Sequence, residues 1–314
     1  MPIAYLLREN NLLGSVTMHS TEEQVAPTIS EKSWFQLDLQ HIWAPLLIAS
    51  LILAAYFHVL IKLIIDWWQI PDFSHGFLVP PFAVFAAWKK REVIVKTELR
   101  PTWTGIALVA FGIAVLILGV YGVDLFLSRV SLLIILSGLV LSFGGWRLLA
   151  ELRFPLLVLL LAIPLPAIVF IQITFPLQIL ASKLASALLP LFGVPVLRDG
   201  NLIQLPAMTL EVAEACSGIR SLMSLLTLSV LYGYFMNRSA FRRTLLALAS
   251  FPIAIAANAI RLLGTGLCVQ YWDPQKAMGF FHEFSGWVMF IVSLVCLVAA
   301  DGLLSLSRPR RRTA

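Results

Sequence analysis

Charge is what this chain has least of. Only 13% of its 314 residues are charged, against about 25% in an ordinary soluble domain. That scarcity excludes a water-solvated globule of this length. Cysteine is rarer still, with three in the whole chain, Cys216, Cys268 and Cys296. Their spacing gives neither a paired disulfide framework nor a set of metal ligands, so no metal and no cofactor is expected. Cys268 and Cys296 lie in apolar runs and read as packing residues. The first 40 residues hold no short apolar stretch ending in a small-residue cleavage site, so no cleaved signal peptide is expected.

What fills the chain is hydrocarbon. Hydrophobic residues make up 59% of it, and the mean hydropathy is +0.88. Apolar runs of about 20 residues recur, which predicts an all-α, polytopic helical membrane protein. The expected spans run from about Ile42 to Ile61, Phe77 to Trp88, Trp103 to Val123, Val130 to Phe143, Pro155 to Ile173, Ser217 to Phe235, Thr244 to Tyr271 and Phe284 to Leu304. Pro80-Pro81 should bend the second, and Pro164 and Pro166 should kink the fifth. Residues 176–192 mix Gln178, Ser182, Lys183 and Ser186 among leucines. They read as an amphipathic helix in the interface, with an additional span as the alternative. Asp199-Gly200 between β-prone flanks predicts a hairpin. The expected architecture is about eight transmembrane helices with a small extracytoplasmic β-hairpin and amphipathic-helix cap.

The net charge of +6 is unevenly placed. Basic clusters at 89–100, 147–153, 237–243 and 308–312 mark every second connection. The positive-inside rule makes those cytoplasmic. Such an excess belongs to membrane loops, and nucleic acid is not implied. Three segments follow: a cytoplasmic tail over 1–40, a transmembrane domain over 41–306 and a basic cytoplasmic tail over 307–314. The turn holding His75, the hairpin, Cys216 and His282 then all face away from the cytoplasm.

One stretch concentrates chemistry at that face. Cys216 lies where a polar loop enters a long apolar helix, flanked by Glu214, Ser217 and Gly218. Arg261 sits inside an apolar helix, where a charge costs a few kcal/mol and marks a functional site by default. It lies about 18 residues above the basic end of its helix, or ~27 Å up a ~30 Å core. That is the level of Cys216 on the preceding antiparallel helix. Asn258 shares a face with Arg261. His282 begins the last span on the same side. A thiol attacks as thiolate. Arg261 stays protonated, so it suits thiolate stabilisation or an oxyanion, and imidazole suits proton exchange. His75 is a rival base or a substrate-binding residue. Each also has a plainer reading: a small cysteine at a packed helix start, a snorkelling arginine, an interfacial loop histidine.

The runs Asp72-Phe-Ser-His75-Gly-Phe-Leu-Val-Pro80, Leu210-Glu-Val-Ala-Glu-Ala-Cys216-Ser-Gly-Ile-Arg-Ser-Leu222 and Asn258-Ala-Ile-Arg261, with His282, resemble the exosortase family over about residues 40 to 305. The resemblance implies a multi-spanning enzyme of the bacterial inner membrane, related to archaeosortases, with its site facing the periplasm. It implies a cysteine protease or transpeptidase in which Cys216 is the nucleophile and Arg261 and His282 complete a triad. It implies partners that are exported proteins with a C-terminal tripartite sorting signal: a Pro-Glu-Pro-like motif, a membrane helix and a basic tail. Membrane lipid is expected around the site, and a lipid or envelope molecule is an expected acceptor, with hydrolysis by water the alternative.

Two other classes stand beside this one. A transporter, such as an exopolysaccharide exporter component, would line a path with buried charge, yet the lower halves of the spans are apolar. A non-catalytic scaffold for envelope assembly would tolerate loss of the thiol.

Overall fold

The computed structural model describes residues 43–212, 218–236, 238–272 and 280–306. The expected class holds: the described residues are helical, with one small sheet among them. Residues 1–52 and 53–314 form two units, and of the first only the opening turns of one helix are described. Six described helical segments, 46–69, 103–121, 125–162, 167–192, 240–271 and 284–305, are long and apolar enough to cross a membrane.

Helix α1 spans Trp43–Gln69, further than the apolar run alone suggests. Asp66, Trp67 and Trp68 therefore close a helix instead of forming a turn. Trp68 is exposed, whereas Trp67 is buried and donates its indole N–H to the Ala162 carbonyl at 2.8 Å. A 3₁₀ segment over Pro71–Leu78 leads into α2, Val79–Lys89. Pro80 and Pro81 do not bend α2. They sit in its first turn, where a missing N–H costs no intrahelical bond. With 11 residues, α2 is too short to span a bilayer at ~1.5 Å per residue. Helix α3 covers Arg91–Lys96.

Helix α4, Trp103–Tyr121, packs along α5, Leu125–Val158. Gly105, Gly112 and Gly119 recur at heptad spacing on α4. A Cβ at Gly105 would stand 2.3 Å from the Ser142 nitrogen and one at Gly119 2.6 Å from the Ser128 nitrogen. Small residues let the two backbones touch, which is how helices pack without a hydrophobic drive between them. Asp124 caps α5 by accepting from the Leu127 N–H at 3.0 Å.

The largest departure from expectation lies between residues 143 and 192. Arg147 and Arg153 themselves are helical, and the connection that their basic cluster marks lies just before them. The break falls at Gly145, whose φ of 77° and ψ of −175° interrupt the helix. The fifth span does not kink either. Helix α5 ends in a 3₁₀ turn, Leu159–Ala162, and a new helix α6, Ala167–Leu188, starts after Pro164 and Pro166. A tetrapeptide holding two prolines separates two helices more readily than it bends one. α6 continues through Pro176, so the separate amphipathic helix over 176–192 is not observed. The apolar segment 167–192 has the length and composition of a span.

The hairpin is present. β1, Leu197–Asp199, pairs antiparallel with β2, Leu202–Gln204, across a two-residue loop in which Gly200 has φ +60°. A third strand not expected from the sequence, β3 at Thr209–Glu211, completes the sheet in the order β1-β2-β3. Helix α7, Ile219–Phe235, is followed by α8, Ala240–Tyr271, and α9, Phe280–Leu306. α9 starts before the expected Phe284, so His282 lies within its first turn.

Candidate active site

The stretch holding Cys216 is anchored at both ends. Val212, fully buried, donates its N–H to the Asn201 carbonyl at 2.9 Å. That bond ties the strand leading toward Cys216 to the tip of the hairpin. The tip is held in turn by Ser182 on α6, whose hydroxyl donates to the Gly200 carbonyl at 2.9 Å. Val212, Ile203 and Leu210 pack with Ala185 of α6 and Leu262 and Val269 of α8 in one apolar cluster. Cys268, half-buried, packs against it.

At the other end, Gly218 caps α7 with φ +83°. It has no room for a side chain: a Cβ there would stand 2.9 Å from Cβ and Cγ of Asn258. A left-handed backbone and a close neighbour together require glycine. Asn258 is buried on α8, one turn before Arg261. Cys216, Glu214 and Ser217 themselves lie outside the described residues.

Arg261 faces the neighbouring helix α9. A Cβ at Gly286 would be 3.4 Å from Arg261 Cζ, so the guanidinium rests against the α9 backbone one turn beyond His282. The structure thus brings α7's start, Asn258, Arg261 and α9's first turns together. Of His282, the described structure gives the helical backbone. Arg261 also lines a cavity of about 320 Å³ between α8 and α9, otherwise walled chiefly by apolar groups, with Thr265, Cys268, Phe284 and Ser285. A fixed cation at the edge of an apolar cavity can hold developing negative charge where water screens little.

His75 is placed differently from a free base. It is 7% exposed, and its Nε2 lies 3.2 Å from the Leu161 carbonyl. Burial holds its pKa below the ordinary 6.5, with the Leu161 and Asp72 carbonyls and the Asp72 charge pulling it back up. Its segment is nonetheless fastened to α7: Arg220 Nε donates to Asp72 Oδ1 at 2.9 Å, and Phe73 packs with Phe170 and the cluster containing Ile219 and Leu222. The Asp72–Arg220 pair is a contact the sequence reading does not supply. Its signal is a lone acid and a lone base, each one turn from a motif residue.

No metal-holding group of His, Cys, Asp and Glu occurs among the described residues. Neither a curated protein nor a solved structure matches the chain. A family model described as Transmembrane exosortase (Exosortase_EpsH) matches residues 67–299. The match takes in the His75 segment, the Cys216 stretch, Arg261 and His282, so the chain belongs to the transmembrane exosortase family.

Proposed function

We propose that this protein is a membrane-embedded cysteine peptidase or transpeptidase. It cuts a C-terminal sorting signal from exported proteins at the periplasmic face of a bacterial inner membrane. Cys216 is the nucleophile, His282 the proton carrier and Arg261 the oxyanion or thiolate partner. Asn258, Gly218 and the His75 segment position them.

His282 takes the thiol proton, and the Cys216 thiolate attacks the scissile carbonyl carbon. The carbonyl oxygen becomes an oxyanion, which accepts hydrogen bonds from the Arg261 guanidinium. The C–N bond then breaks, and imidazolium returns its proton to the leaving amine. The signal's membrane helix and basic tail depart, and the exported protein is held as a thioester. A nucleophile from a lipid or envelope molecule attacks that thioester and regenerates the thiol.

The observation that carries the reading is the seat of Arg261. Its guanidinium rests on α9 one turn beyond His282. One turn earlier on α8, Asn258 packs on Gly218, two residues past Cys216. The test is a gel-shift of an epitope-tagged partner in cells lacking the wild-type enzyme. Cys216→Ala should leave the partner with its helix and basic tail attached, and Cys216→Ser should fail as well. Cys268→Ala and Cys296→Ala should process normally. Full processing by Cys216→Ala would leave the scaffold reading in front.

A further inference from the structure

A second polar centre lies away from the thiol site, where α1 ends and α5 begins. Arg129 is 4% exposed and pairs with Asp66 of α1. Asp66 occupies one arm of the guanidinium. The buried Nε of Arg129 has no hydrogen-bond partner, although a guanidinium carries five donors. Leaving a buried charged donor unsatisfied costs free energy.

That side chain lines a cavity of about 160 Å³. The remaining wall is hydrocarbon: Val59 and Leu63 of α1, Leu133 and Leu136 of α5, and Leu159. Trp67 stands at the same end as Arg129. From Asp66 back to Val59, and from Arg129 on to Leu136, each helix runs about 10 Å. The cavity is therefore a slot with its charge at one end and aliphatic side chains along its depth. Arg129 lies about 7 Å inside the end of α5 at Asp124, a depth at which a bilayer's hydrocarbon gives way to headgroups.

We infer that this slot binds an anionic phospholipid. One acyl chain lies along the leucines, and the phosphate accepts hydrogen bonds from Arg129. Charge complementarity selects the headgroup, because Arg129, the cation among the described residues that line the slot, carries an unsatisfied donor. The walls select a chain over a free ion. The site is independent of the thiol chemistry.

The experiment measures melting of the full-length protein in a neutral detergent. Dioctanoyl phosphatidylglycerol should raise the midpoint on the order of 5 °C at saturation. Dioctanoyl phosphatidylcholine and inorganic phosphate should not. Leu133→Trp fills the slot and should abolish the shift with Arg129 intact. The double variant Asp66→Asn with Arg129→Gln removes both charges together, so neither is left buried alone, and it too should abolish the shift. Cys216→Ala should keep it. An equal shift from phosphatidylcholine, an equal shift from phosphate, or a phosphatidylglycerol shift surviving in either slot variant overturns the inference.

Discussion

The guanidinium of Arg261 lies against Gly286: a Cβ built at position 286 would stand 3.4 Å from Arg261 Cζ and 3.5 Å from Nη2. This contact couples the depth of a cation on α8 to the helix that carries His282. A methyl group at 286 meets the guanidinium at ordinary van der Waals distance. A branched side chain does not fit without moving it. Gly286→Ala should therefore process substrate within a few-fold of wild type, and Gly286→Val should lose about 10²-fold, as a displacement near 1 Å does. Gel-shift rates at matched membrane abundance decide this. Equal rates for the two variants would show that Arg261's position does not govern the reaction.

Arg261 itself should not be replaceable by lysine. A planar guanidinium donates paired hydrogen bonds in a fixed fork, and an ammonium cannot copy that geometry. Losing one oxyanion donor costs ~10²–10³ in rate. Near-normal processing by Arg261→Lys would reduce the residue to a packing cation.

Gly218 separates two reasons for glycine. Its φ of +83° disfavours a side chain, and Asn258 fills the space one would occupy. Asn tolerates the left-handed region better than Ala does. If the close contact dominates, Gly218→Asn and Gly218→Ala should fail alike, with lower melting midpoints and little processing. Recovery by Gly218→Asn would assign the requirement to the dihedral instead.

The parts legible in the sequence are those set by local chemistry or by long periodic runs. Asp199-Gly200 announces the hairpin because the turn's requirement sits in the turn. α4, α8 and α9 read directly from apolar length. The residues near 147–176 mislead, since arginine looks like a loop marker. A helix tolerates arginine wherever the head reaches water or a partner, and Arg147 pairs with Glu98 at 2.9 Å. Around the candidate site, the motif residues can be listed from sequence, but their contacts cannot. Asp72 and Arg220 are 148 residues apart, and Asp66 and Arg129 are 63 apart. Asp301 shows the same blindness: a single acid in an apolar run gives no hint of which bases meet it.

Asp301 is 1% exposed. Its carboxylate accepts from Arg238 Nη2 at 2.6 Å and from Tyr232 at 3.1 Å, and Arg242 Nε lies 2.7 Å away. The cluster fixes the end of α9 opposite His282 to the α7–α8 connection. Removing one partner of a buried pair costs about 3–5 kcal/mol. Asp301→Asn should lower the melting midpoint by several degrees. Arg238→Gln should lower it less, because that side chain is 30% exposed and Arg242 still serves the acid. A larger loss from Arg238→Gln would mean that Asp301 is not the hub.

His75 should give the folded protein an acid-sensitive step. Burial depresses its pKa below 6.5 in the folded chain, whereas the unfolded chain keeps about 6.5. Below that value the unfolded state binds the extra proton first. Stability is therefore whole above about pH 6.5, falls as the pH drops from there toward the folded pKa, and levels off below it. The slope for one group cannot exceed about 1.4 kcal/mol per pH unit. Asp72, the acid that faces His75, works against the shift by favouring the charged ring. In melting curves between pH 7.5 and 5.0, His75→Gln should lose less stability than wild type as the pH falls. Asp72→Asn should steepen the wild-type loss, although it also frees Arg220. If wild type and His75→Gln lose stability in parallel, the acid sensitivity belongs to other groups and the buried imidazole is already accommodated as a cation.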